Sequence, residues 1–166
     1  MSKAFTRDDE GDDLAVTPPL PPLPEGVPNY VTKSGAAALL EELRRLEGTE
    51  RPALRRSEDP AARARLAGVE ARIRALTERV ERMEVVAPPP DREVVRIGAH
   101  VRFEGDHGVR EVRIVGLDEA DAGAGRISWR SPLAAALLGA RVGEVVTVQS
   151  PRGDEAVELL TVRYVE

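Results

Sequence analysis

The 166-residue chain has no cysteine, which excludes a disulfide framework, a thiol nucleophile and any cysteine-ligated zinc site, and which suits a reducing compartment. Aromatic residues are nearly as scarce. Two Phe, two Tyr and one Trp cannot build a base-stacking platform for single-stranded nucleic acid, so the core must be aliphatic. A surplus of positive charge is missing too: 24 basic against 29 acidic residues leave a net charge of −5, which opposes a protein held mainly by phosphate backbones while leaving room for a local basic face. No apolar run approaches the ~20 residues of a membrane helix, and Met1 to Gly11 carries charge where a signal peptide would be apolar. The expectation is a soluble, cytoplasmic protein without a membrane partner.

What is present falls into parts. The 13 prolines concentrate at Pro18, Pro19, Pro21, Pro22, Pro24 and Pro28 and again at Pro88 to Pro90. Residues 1–28 combine an acidic run (Asp8, Asp9, Glu10, Asp12, Asp13) with proline, a composition that offsets little of its ordering entropy by burial, and read as a disordered tail. A proline-rich ligand for an aromatic groove is the sharper alternative to a plain linker.

Residues 29–86 read as helical, with Thr32 as an N-cap and Leu39, Leu43 and Leu46 on one stripe. After Ser57-Glu58-Asp59-Pro60 a second stripe runs through Leu66, Val69, Ile73, Leu76, Val80 and Met83 in alternating steps of three and four, a heptad seam. The turn signal between Arg55 and Pro60 folds the stripes into an antiparallel coiled-coil hairpin. Eleven Arg and ten acids between Glu41 and Glu84 read as mixed, solvated outer faces.

Residues 87–93 form a Pro-rich linker. In 94–166 short β-branched runs alternate with glycine, and nine of the 14 glycines fall between Gly98 and Gly153. Expected strands are 94–97, 100–104, 109–115, 126–129, 145–149 and 156–164, with turns at Gly105 to Gly108, Gly123 to Gly125 and Pro151 to Asp154. One helix interrupts them, capped by Ser131, with Pro132 at its first position, Gly139 past its end, and Leu133, Leu137 and Leu138 covering a sheet face. The fold class is α+β: a helical hairpin followed by a small sheet domain.

The C-terminal half carries an ordered run of motifs. Ile97-Gly98-Ala99-His100-Val101 precedes Arg113-Ile114-Val115-Gly116-Leu117-Asp118-Glu119-Ala120-Asp121. Then come Ile127-Ser128-Trp129-Arg130-Ser131-Pro132-Leu133-Ala134, Leu137-Leu138-Gly139 and Pro151-Arg152-Gly153. With Ser2 to Thr6, Asn29-Tyr30-Val31-Thr32, Gly35 and Glu50-Arg51-Pro52, this run strongly resembles the bacterial GreA/GreB transcription factors, on the GreB side at its start. The resemblance implies a coiled coil that enters the secondary channel of RNA polymerase and an FKBP-like C-terminal domain that docks at the channel rim. It implies a regulatory factor rather than an enzyme, with RNA polymerase as main partner and only indirect or secondary contact with DNA and RNA, and a monomer. The docking segment it implies is Arg126, Ile127, Ser128, Trp129, Ser131, Pro132 and Leu133.

In cleavage-competent members of that family, acids at the hairpin tip help position a metal ion in the polymerase. Here the hairpin is shorter than the family pattern by about fourteen residues, roughly two heptads, so the tip recedes by ~10 Å at ~1.5 Å per residue. Its surviving sequence is Arg55, Arg56, Ser57, Glu58, Asp59. Glu58 and Asp59 read either as a residual metal-binding pair, with Mg²⁺ supplied by the polymerase, or as a helix cap beside Pro60 with a carboxylate on the helix dipole. The resulting expectation is a factor that regulates elongation without efficient cleavage stimulation and without a cofactor of its own. Alternatives are a weakly active cleavage stimulator and a generic coiled-coil interaction protein.

Elsewhere the bland readings prevail. His100 and His107 lack a ligand cluster, and Gly123-Ala124-Gly125 lacks the lysine of a phosphate loop. Asp118, Glu119 and Asp121 suit a loop or partner contact better than acid–base catalysis. Trp129 is either a core filler or a docking anchor, and its alternation with Ile127 favours a buried face.

Overall fold

The computed structural model describes residues 18–165. After strand β1 (Asn29–Val31), the Thr32 hydroxyl accepts from the Gly35 amide at 3.0 Å and starts helix α1 (Lys33–Arg45). The helical path does not break at Gly48 and Pro52. It widens into a π-helical turn over Leu46–Glu50, with the Arg51 amide donating to the Leu46 carbonyl, and continues as α2 (Arg51–Arg56). Pro52 lacks an amide proton and its ring would strike the carbonyl four residues back in a regular helix; the wider turn just before it relieves both demands.

The chain reverses over Ser57 to Asp59 and returns as α3 (Pro60–Arg82), which ends in strand β2 (Met83–Val85). Leu39, Leu46 and Leu54 of the first arm form one buried cluster with Ala62, Val69, Ile73 and Leu76 of the second. Met83, expected to close the seam, leaves the helix and pairs in parallel with Asn29, so the base of the hairpin is a two-stranded ribbon.

The five-stranded sheet has the order β5-β4-β3-β7-β6, from β3 (His100–Gly105), β4 (Gly108–Val115), β5 (Arg126–Ser128), β6 (Val145–Val148) and β7 (Glu155–Arg163). Only the β4–β5 pair is parallel. Helix α4 (Pro132–Leu137) lies between β5 and β6, and Ala134 and Leu137 are its fully buried residues, while Leu133 and Leu138 are half-buried. The strand expected at 94–97 is absent: Val94 makes one isolated bridge to Arg141, and Gly98, at φ 94°, turns the chain before a ladder can form.

A buried ion pair joins hairpin to sheet. Arg79, expected on a solvated face, is 1% exposed. Its Nε donates to Asp118 Oδ1 at 2.8 Å, and its backbone carbonyl accepts from the Asn29 side-chain amide at 3.1 Å. The neighbouring Glu119 carboxylate accepts from the Thr32 amide at 2.9 Å, the Gly116 amide at 3.0 Å and the Thr32 hydroxyl. A Cβ at Gly116 would lie 2.4 Å from the Tyr30 carbonyl, so only glycine lets β1 approach this closely. Asp118 and Glu119 therefore bind this protein's own hairpin.

The proline-rich segment corrects the expectation of a disordered tail. Residues 1–17 lie outside the described residues, but residues 18–28 run along α3. Arg72 donates to the Pro18 carbonyl, Arg79 to Pro21, and Arg82 to Pro24 and Val27. Those acceptors recur every third residue, the period of a polyproline II helix, whose unpaired carbonyls are free to accept from side chains. Leu20 packs on the hairpin cluster, and Leu23, three residues on, is buried.

Two outcomes follow. Asp118→Ala leaves the Arg79 guanidinium buried without its countercharge and should lower stability by about 3 kcal/mol, read as a reduced urea midpoint; adding Arg79→Met should restore part of that loss, since no charge is then stranded. His100 is held below its usual 6.5 first by burial and then by Arg113 and Arg163, against an opposing pull from Glu111. The unfolded chain thus takes up a proton before the folded one, and the His100 contribution, full above pH 6.5, declines as pH falls toward the folded value. A His100→Gln chain should give a flatter midpoint-against-pH curve over that acid range.

Candidate functional site

At the hairpin tip the side chains are committed to the turn. Asp59 Oδ1 accepts from the Ala61 amide at 3.0 Å and Pro60 occupies the first helical position, so Asp59 is the N-cap of α3. The Ser57 hydroxyl accepts from the Asp59 amide at 3.2 Å. Arg55 pairs with Glu70 at 2.6 Å. Arg55, Arg56, Ser57, Glu58 and Asp59 are all exposed. One of the two tip acids is thus already engaged, two guanidinium groups stand beside them, and among the described residues no three Asp, Glu or His side chains gather as a metal site. Mg²⁺ would find a poor donor set here.

The segment Arg126 to Leu133 lies at the other end. Its parts divide between holding the loop and facing outward. Arg126 is exposed and pairs with Asp121 at 3.2 Å. The Trp129 amide donates to the Val115 carbonyl at 2.9 Å, the Ser131 amide to the Ser128 carbonyl at 2.9 Å, and the Ser131 hydroxyl accepts from Ala134 N at 3.2 Å. Ser128 Oγ accepts from the Arg130 amide at 3.2 Å. Ile127 and Leu133 pack on the sheet core, while Pro132 is exposed.

Trp129 does both. Its ring packs edge-on against Tyr30, with centroids 5.3 Å apart, and forms one wall of an apolar groove of about 490 Å³. Tyr30, Val86, Pro89, Ile97 and Leu138 complete most of the lining. The indole Nε1–H is buried and has no acceptor among the described residues. An apolar groove walled by an aromatic ring favours an occupant that brings apolar surface. Sequence reasoning named Trp129 but missed Tyr30, Val86 and Pro89, because β1 and the 87–93 linker reach the groove only when the Arg79–Asp118 contact seats the hairpin.

The tip and the groove are not brought together. The 23 residues of α3 separate them, ~35 Å at ~1.5 Å per residue. Among the described residues no helix is long and apolar enough to cross a membrane.

Residues 89–164 match the family model described as "Transcription elongation factor, GreA/GreB, C-term". The chain is 38% identical over 151 residues to the transcription elongation factor GreA of Acidiphilium cryptum, covering 81% of this chain and 96% of that one. It is also 38% identical over 156 residues to GreB of Neisseria meningitidis serogroup A, covering 83% and 95%. In both cases the alignment spans a larger share of the relative than of this chain. A crystal structure of GreA factor homolog 1 from Thermus thermophilus aligns at 28% identity over 82% of this chain and 99% of that chain, with a TM-score of 0.39.

The cap assignment at the tip predicts a split between its two acids. Asp59→Ala should cost about 1 kcal/mol through loss of the N-cap, whereas Glu58→Ala should stay within ~0.5 kcal/mol of the parent in the same urea titration.

Proposed function

Since the chain belongs to the GreA/GreB family of transcription elongation factors, we propose that it binds bacterial RNA polymerase at the secondary channel and regulates elongation without efficiently stimulating transcript cleavage. The observation that carries this reading is the tip itself: a three-residue reversal in which Asp59 caps a helix, Glu58 has no ion-pair partner among the described residues and the exposed Arg56 opposes a cation. A hairpin that keeps its seam but ends in this way is suited to occupying a channel and poorly suited to placing a metal ion. The protein then acts by steric and electrostatic obstruction, and any chemistry remains the polymerase's.

In this reading the C-terminal domain, the FKBP-like domain of the family, provides the anchor. The groove beside Trp129 supports that role because it offers concave apolar surface. Arg126 at the start of β5 and Pro132 at the start of α4, on either side of Trp129 in the chain, are exposed. Domain limits of 29–86 for the hairpin and 94–166 for the anchor, a monomeric state and a cytoplasmic location belong to the same proposal. Contact with DNA or RNA would then come through the elongation complex and not through this chain alone.

Backtracked elongation complexes provide the test. The full chain should displace an ordinary Gre factor in competition while leaving cleavage at the rate of polymerase alone, and Glu58→Ala/Asp59→Ala should not change that rate. Cleavage above background that disappears in the double variant would establish the weakly active alternative instead, and failure to bind polymerase at all would overturn the proposal. Trp129→Ala removes one wall of the groove and should weaken polymerase binding by about tenfold, the effect of truncating a buried aromatic anchor.

A further inference from the structure

The proline-rich strap is fastened on both sides of a turn. Gly26, at φ 67°, bends the chain between the strap and β1. Before that turn the Pro21 carbonyl accepts from Arg79 Nη2 and the Pro24 carbonyl from Arg82 at 3.1 Å. After it the Val27 carbonyl accepts from Arg82 at 3.4 Å, and the Asn29 side-chain amide donates to the Arg79 carbonyl at 3.1 Å. Two arginines on successive turns of α3 thus hold the strap and the first residue of β1 together. Leu23, between the two held strap carbonyls, is buried.

From this point contacts run without a gap to the groove. Arg79 Nε donates to Asp118, so one guanidinium serves the strap and the sheet domain at once. Asn29 is followed by Tyr30, whose ring packs on Trp129 with centroids 5.3 Å apart. The next carbonyl, that of Val31, accepts from the Val86 amide at 2.9 Å, and Val86 is a further wall of the groove. Two of the walls are therefore positioned by β1, and β1 is held at its first residue by Arg79 and through the Gly26 turn by the strap. None of the lining residues belongs to the strap itself, so the strap acts on the groove only through β1 and Arg79.

We propose that residues 18–28 are a latch that controls the Trp129 groove. Seated on α3, the strap holds β1 so that Tyr30 and Val86 close the groove; lifted from α3, it frees β1 and the groove loosens. The two events are tied together because loss of the Pro21 carbonyl strands a buried Arg79 donor, which costs far more than breaking an exposed contact. The coupling is reciprocal: an occupant of the groove steadies the strap, and a partner that takes up the strap weakens whatever the groove holds. Its consequence for polymerase binding rests on the reading of the groove as an anchor, whereas the coupling itself rests on the contacts alone.

Trp129 is the only tryptophan of the chain, so its fluorescence reads the groove directly. In the full-length chain Leu23→Asp drives a carboxylate out of a buried position and lifts the strap. Trp129 emission should then shift to the red and its acrylamide quenching rise about twofold, a local opening with the helical circular dichroism retained. Leu23→Ala should give the same change to a smaller degree, and it keeps the test open if the charged variant disturbs the hairpin. Pro19→Ala, at an exposed strap position, should change nothing. Strap movement is followed separately by one nitroxide on Pro19→Cys, which is unambiguous because the chain has no cysteine of its own. The label should be immobile in the parent and mobile beside the Leu23 substitutions. Quenching that stays at the parent level while the label is mobile would overturn the proposal. A label already mobile in the parent, or one left immobile by both Leu23 substitutions, would do so too. Failure to bind polymerase would count against the anchor reading and would leave these signals as they are.

Discussion

The buried guanidinium of Arg79 is where the three parts of this molecule meet. It meets Asp118 from the sheet domain and Pro21 from the strap, and the backbone carbonyl of the same residue holds Asn29. A buried cation is expensive unless its donors find acceptors and a countercharge lies in contact. Burial of Arg79 fixes where the helical arm sits on the sheet, and Glu119 next door fixes how the arm begins by binding the amide and hydroxyl of Thr32. Two adjacent acids on one loop thus hold the base and the start of the hairpin together.

With the base held, the groove and the tip stand at opposite ends of α3. The groove beside Trp129 exists because β1 and the linker are brought against the sheet. The tip is held away from it by the full length of α3, and its residues are spent on reversing the chain: a cap, a turn and an ion pair. None of the residues lining the groove comes from the tip, so on the proposed reading an anchoring surface and the tip chemistry can change independently.

Local features were legible in the sequence where their causes are local. Thr32, Asp59 and Ser131 cap helices because a short oxygen-bearing side chain preceding a helix satisfies an orphan amide whatever lies beyond it. Strands β3, β4, β6 and β7 follow from β-branched runs, and the Gly105 to Gly108 hairpin turn from residues tolerant of positive φ. Long-range features were not legible. Arg79 has the same composition signal as the solvated arginines around it, and the proline segment has the same signal as a free linker. Only their mutual contact, the strap's carbonyls meeting a line of arginines across more than fifty residues of sequence, orders both. Likewise the expected strand at 94–97 failed because its edge is taken by the loop after α4, with Val95 N bonding to the Ala140 carbonyl.

The sequence alone determined the class, the two helical arms and their seam, the ordered sheet motifs and the exclusion of thiol and disulfide chemistry, since each depends on residue type and on spacing over a few turns or strands. The tertiary structure decided which charges are buried, that residues 18–28 belong to the packed structure, that Asp118 and Glu119 face inward and that a groove opens beside Trp129. Those outcomes depend on which surfaces meet. A guanidinium or a carbonyl has no preference between water and a protein partner until burial removes the water, and that choice is made only when the hairpin closes on the sheet.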